Sequence, residues 1–98
     1  MNEKIYVGQT LLTIKITLDS DITDVITALI KYIKPNKTTG QFIATVERAD
    51  IGTIKYIVEN TSDLDLAGKW TFWAHLTYNS GKVIASTPTV VEVFNEGS

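Results

Sequence analysis

The stretch Asp21-Ile22-Thr23-Asp24-Val25-Ile26-Thr27-Ala28-Leu29-Ile30-Lys31-Tyr32-Ile33-Lys34 decides the fold, because it can be read as helix or as strand. As a helix, Ile22, Val25, Ile26, Leu29, Ile30 and Ile33 follow i, i+3, i+4, i+7 spacing and share one face. Asp19, Asp21 and Asp24 near its start and Lys31 and Lys34 at its end suit the helix dipole, and Pro35 would stop it. As a strand, Ile26, Ala28, Ile30 and Tyr32 face one way and leave Leu29 and Ile33 facing the other. Against the helix stand the β-branched residues Ile22, Thr23, Val25, Ile26, Thr27, Ile30 and Ile33. Each costs up to about 0.7 kcal/mol relative to Ala in a helix, little enough for tertiary context to decide. On the residues alone both readings stay open.

The flanking sequence is β-rich. Ile5-Tyr6-Val7 is a brief opening strand ended by Gly8, and Leu12, Ile14, Ile16 and Leu18 alternate with Thr13, Lys15 and Thr17. That period of two marks a half-buried strand. Gln41 to Glu47 places Phe42, Ala44 and Val46 on one face of a single predicted strand. Ala49-Asp50-Ile51-Gly52 turns the chain before Ile54, Tyr56 and Val58 repeat the alternation. Lys69 to Tyr78 is the longest strand, with Trp70, Phe72, Ala74, Leu76 and Tyr78 on one side. Asn79-Ser80-Gly81 signals a hairpin, since Asn and Gly tolerate positive φ. Lys82 to Thr87 returns, Pro88 limits ladder bonding, and Thr89 to Phe94 closes the pattern. About seven short strands at this spacing predict an all-β sandwich.

Composition bounds the function. The 98 residues suffice for one domain (1–98, ordered over about 4–94), and 44% hydrophobic residues can form a core. Nine Lys+Arg against eleven Asp+Glu leave a net charge of -2, so no basic footprint for nucleic acid or an anionic membrane is expected. The start Met1-Asn2-Glu3-Lys4 lacks the apolar core of a signal peptide, and no apolar run approaches bilayer length. Without cysteine there is no disulfide, thiolate nucleophile or Cys-ligated zinc. Asn95-Glu96-Gly97-Ser98 reads as a frayed tail.

Few residues carry chemistry. His75, the one histidine, alternates onto the face opposite Phe72 and Ala74, with no sequence element supplying an orienting carboxylate or a nucleophile. Asp19, Asp21 and Asp24, and Glu59, Asp63 and Asp65, group as turn-making carboxylates without the spacing of a calcium loop. Gly81-Lys82 fails the phosphate-loop pattern, because Leu76 stands at its first Gly position and Val83 follows the Lys. Asn36-Lys37-Thr38 and Asn60-Thr61-Ser62 fit a glycosylation sequon that turn-rich composition produces by accident. No cofactor, metal ligand set or catalytic group is expected. Trp73 differs: it points away from Trp70 and Phe72, beside Thr71, His75 and Thr77. It would be covered by a loop, contact another subunit, or stack on a sugar.

Several short motifs occur in an order that carries a family resemblance. They are Tyr6-Val7-Gly8-Gln9-Thr10, Asp21-Ile22-Thr23, Lys34-Pro35-Asn36 before Gly40, Ala44-Thr45-Val46, Asp50 to Tyr56, Leu64-Asp65-Leu66-Ala67-Gly68-Lys69-Trp70, and Gly81-Lys82-Val83. From about Ile5 to Phe94 the chain resembles the short immunoglobulin-like structural proteins of tailed bacteriophages and prophages. It is also similar to the N-terminal domain of phage baseplate upper proteins. Relatives have a tighter Lys-Pro-Asp-Gly turn, where Asn36 to Gly40 reads as longer here.

The resemblance implies an immunoglobulin-like antiparallel sandwich, with strand from about Ile26 to Lys34. It also implies a non-enzymatic virion protein, made in the host cytoplasm, that binds capsid, neck or tail proteins in many copies. The alternative is a glycan- or host-surface-binding adhesion module. Leu64, Leu66, Gly68, Trp70 and Phe72 are the expected core and corner, since Gly permits a tight crossing between sheets and Trp70 fills the centre. Trp73, His75, Asn36, Phe94 and the edge from Pro88 to Phe94 are the expected contact groups.

Overall fold

A computed structural model describes residues 4–97; the expectations on Met1-Asn2-Glu3 and on Ser98 lie outside the described residues. Among the described residues there is no helix, and the chain forms β1 (Ile5–Tyr6), β2 (Thr13–Thr17), β3 (Val25–Ile33), β4 (Thr39–Ile43), β5 (Thr45–Arg48), β6 (Thr53–Ile57), β7 (Gly68–Tyr78), β8 (Val83–Ala85) and β9 (Thr89–Phe94). The larger sheet runs β1-β9-β7-β3-β4, with β8 also paired to β7, and the smaller runs β2-β6-β5. All pairs are antiparallel except β1 with β9. Their inner faces enclose one core: Ile30, Trp70, Phe72, Ala74, Leu76 and Val93 from the larger sheet, Ile54 from the smaller, and Ile22, Val58 and Leu64 from the connections.

The disputed segment is a strand. β3 lies between β7 and β4, and its outer face carries Leu29 and Ile33 beside Lys31. Ala28 and Ile30 are buried inside, while Leu29 and Ile33 are half-buried on the outer face. Apolar residues on both faces is what imitated a helical period. One detail is corrected: Ile26 does not face inward but is exposed, because a register shift between Val25 and Thr27 turns it out.

Among the described residues nine strands stand where about seven are expected. The stretch from Gln41 to Glu47 is two strands in different sheets. Ala44 donates its N–H to the Ala28 carbonyl of the larger sheet (2.9 Å), and the next residue, Thr45, pairs with Lys55 of the smaller. Phe42 and Ala44 are buried as expected, whereas Val46 is partly exposed beyond the crossing. The break expected at Pro88 lies between β8 and β9: beside β7, three residues (Ser86, Thr87, Pro88) face two (Trp73, Ala74). There the Ser86 hydroxyl accepts the Ala74 N–H at 2.7 Å, and the Ser86 N–H reaches the Ala74 carbonyl at 3.0 Å.

The turn after Lys34 does not run from Asn36 to Gly40. Lys34 N–H bonds to the Thr38 carbonyl and Lys37 N–H to the Lys34 carbonyl, closing a three-residue loop of Pro35, Asn36 and Lys37. The predicted hairpin at Asn79-Ser80-Gly81 is closed by the same pair of bonds, from Tyr78 to the Lys82 carbonyl and from Gly81 to the Tyr78 carbonyl. Its third residue, Gly81, has φ 88°, and Lys37 takes the equivalent place at φ 70°. Gly40, read as part of the turn, belongs to β4 opposite Tyr32, whose ring occupies the space a Cβ would need.

Candidate interaction face

The corner leading into β7 assembles two distant pieces of sequence. Gly68 has φ 128°, and a Cβ on it would lie 2.7 Å from the Pro35 ring. Lys34 of the same hairpin forms an ion pair with Asp65 (2.8 Å), and its ammonium lies 5.6 Å from the centre of the Trp70 ring. Trp70 is fully buried and donates its indole N–H to the Leu66 carbonyl at 2.9 Å. Like the tyrosine corner of immunoglobulin domains, it ties a ring on a strand to backbone a few residues upstream. Leu64 is buried under the corner, Leu66 packs against the core, and Phe72 stacks beside Trp70 with ring centres 5.9 Å apart. Tyr32 joins both rings and Phe42, filling the room that Gly40 leaves.

Three of the six grouped acids, Asp21, Asp63 and Asp65, have structural partners. Asp21 accepts from the Thr23 N–H and hydroxyl, contacts that hold its carboxyl below the ordinary range. Asp63 accepts from the Tyr56 hydroxyl (2.6 Å) and the Asn60 N–H (3.3 Å). Burial, then this bond to a carboxylate, pushes Tyr56 up to about 12. On the outer face of the smaller sheet Lys15 and Lys55 are directly opposed, and both reach Glu47, at 3.0 and 3.7 Å. The Lys15 hydrogen bond holds the Glu47 carboxyl below its usual range. Among the described residues no three His, Cys, Asp or Glu side chains converge as metal ligands.

The outer face of the larger sheet is different. Trp73 lies at its middle, half-buried, with Lys31 opposite on β3 and Gln41 beyond on β4. Towards one end the cross-strand row is Val90, Thr71, Ile33 and Thr39; towards the other it is Ala85, His75, Leu29 and Ile43. Ile43 is 78% exposed and Val90 59%, so large aliphatic groups stand open on both sides of the indole. Strand residues surround Trp73: Lys31, Thr39, Gly40 and Gln41 line a depression of about 370 Å³ beside it.

Three of the four expected contact residues share this face. Trp73 and His75 follow each other on β7, and Phe94 alternates onto the same side of β9, under the Lys4 ammonium at 4.7 Å. Asn36 instead sits in the hairpin at one end of the sheet, its side-chain oxygen accepting the Thr38 N–H at 3.0 Å. The expected edge from Pro88 to Phe94 is closed at Val93 and Phe94 by β1. The ladder neighbours of His75, Leu29 and Ala85, carry no acid or nucleophile. Ile43 and Val90 were missed because they alternate out of strands whose inner face drew the reading; their β-branched character on an outer face was the available signal. No protein-family model matches the chain, and no curated protein matches it.

Proposed function

We propose that this chain is a non-enzymatic structural protein of a tailed-phage virion. It is read as an immunoglobulin-like block, present in many copies, that docks on capsid, neck or tail proteins through the outer face of its larger sheet. The observation that carries this reading is Trp73 at the centre of a mixed face, where the exposed Ile43 and Val90 and the half-buried Leu29 and Ile33 stand among Lys31, Gln41, Thr71 and His75. Aromatic residues are enriched at interfaces, and an apolar patch rimmed by polar groups marks contact surfaces. Repeated across identical copies, modest contacts of this kind sum to stable assembly.

Strand order supports the immunoglobulin-like part of the reading. β2-β6-β5 runs as B-E-D does in such domains, and β3-β7 followed by β8 and β9 runs as C-F-G. The motif pieces that carry the family resemblance, Lys34-Pro35 and Leu64 to Trp70, also meet at one corner.

The test is to purify particles from cells expressing the chain with its neighbouring phage genes and to quantify it by mass spectrometry. Stoichiometric incorporation, lost with Trp73→Ala while the isolated variant keeps its fold, is the expected result. Absence of the wild-type chain from particles contradicts the reading. The depression beside Trp73, flanked by Gln41, Lys31 and Thr39, favours a glycan platform as second reading. Quenching of tryptophan fluorescence by added sugars, abolished by Trp73→Ala, would select it.

A further inference from the structure

We propose that an extended strand of another protein adds to the free edge of β2, placing a carboxylate against Lys15 and apolar side chains in the groove below. This surface is separate from the Trp73 face and does not depend on it.

A groove of about 640 Å³ opens along one side of the sandwich. Ile14, Ile16 and Leu18 line it from the smaller sheet, and Phe72, Ile84 and Val91 from the larger. Among the described residues β2 is the end strand of its sheet, pairing only with β6. In an antiparallel ladder, alternate residues turn their N–H and C=O toward the partner and the rest toward the open side. The bonds from Val58 to the Leu12 carbonyl and from Leu18 to the Gly52 carbonyl set the even residues of β2 toward β6. Thr13, Lys15 and Thr17 therefore turn three N–H and three C=O groups to the groove side. That edge runs unbroken for five residues, whereas the opposite lip is interrupted between β8 and β9.

Such an edge is a template for a further strand, with main-chain bonds giving affinity and alternate side chains giving specificity. Residues opposite Ile14 and Ile16 would point into the groove, where Phe72, Ile84 and Val91 offer apolar contact beside the polar Ser86 and Thr89. Charge fixes the residue opposite Lys15. Lys15 and Lys55 share the single carboxylate of Glu47, so this patch carries an excess positive charge that an incoming acid would neutralise. Two-fold pairing of β2 edges centred on Lys15 would set that lysine against its equivalent, which disfavours this register of self-pairing.

The probe is the capped peptide Thr-Thr-Val-Glu-Val-Thr-Thr, titrated into the full-length labelled chain and followed by amide NMR. Expected are shifts and slowed hydrogen exchange at Thr13, Lys15 and Thr17. A peptide with Lys in place of the central Glu should bind roughly five- to tenfold more weakly, from the cross-strand charge contrast. Lys15→Glu should reverse that preference, and Lys15→Gln should abolish it while leaving both peptides bound. Shifts confined to the Trp73 face, no binding at millimolar peptide, or concentration-dependent self-pairing at these amides without peptide would each overturn the proposal.

Discussion

Lys37 and Trp70 show how single residues set the stability of this domain. The two three-residue hairpins are closed by the same bonds, yet the left-handed position holds Gly81 in one and Lys37 in the other. A left-handed backbone costs an L-residue about 1–2 kcal/mol, partly offset by glycine's larger entropy loss. Lys37 is exposed, so Lys37→Gly removes strain without removing packing. The expected gain is about 0.5–1 kcal/mol, seen as a rise of a few degrees in Tm by differential scanning calorimetry. Trp70 lies at the other extreme, fully buried with its indole N–H bonded to Leu66. Trp70→Ala should cost about 3–5 kcal/mol. A denaturant midpoint that hardly moved would show that the corner does not hold the sheets together.

At the scale of elements, the strand opposite β7 is one strand broken by a bulge, and Ser86 repairs the break. Its hydroxyl accepts the N–H of Ala74, a residue with no exposed surface. Ser86→Ala leaves that donor unsatisfied and should cost about 1–3 kcal/mol by denaturant titration. Ser86→Thr, which keeps the hydroxyl, should lose much less. Elements were legible in the sequence wherever one face was dry and the other wet. β2 alternates cleanly, and Asn79-Ser80-Gly81 and the Leu64-to-Trp70 corner carry their turn chemistry in their residue types. β3 was ambiguous because Leu29 and Ile33 put apolar residues on its outer face as well. The crossing at Ala44 was invisible because the chain changes sheets while keeping its inward parity, so Phe42 and Ala44 fit one strand as well as two. The groove beside β2 could not be read at all, since it arises from where two sheet edges end in space.

Considered whole, the molecule is two sheets closed by aromatic contacts rather than a disulfide. Phe42 of the larger sheet stacks on Tyr56 of the smaller with ring centres 4.4 Å apart, and the Tyr56 hydroxyl is bonded to Asp63. The folded Tyr56 pKa, about 12, lies above the ordinary value near 10. Above pH 10 the unfolded chain therefore loses this proton before the folded one does. The stabilisation is intact below about pH 10 and is lost as pH rises toward 12. Alkaline titration should show a fall in denaturation midpoint across that window, flattened in Tyr56→Phe.

The same closed sandwich leaves the outer face of its larger sheet open, with Trp73 at its centre and Ile43 and Val90 exposed on either side. A cryo-EM reconstruction of particles containing the chain measures directly what that face meets. The proposed function predicts the Trp73 indole buried against a neighbouring virion subunit, with Ile43 and Val90 inside the contact. A reconstruction in which that sheet faces solvent while the block is held by another surface would contradict it.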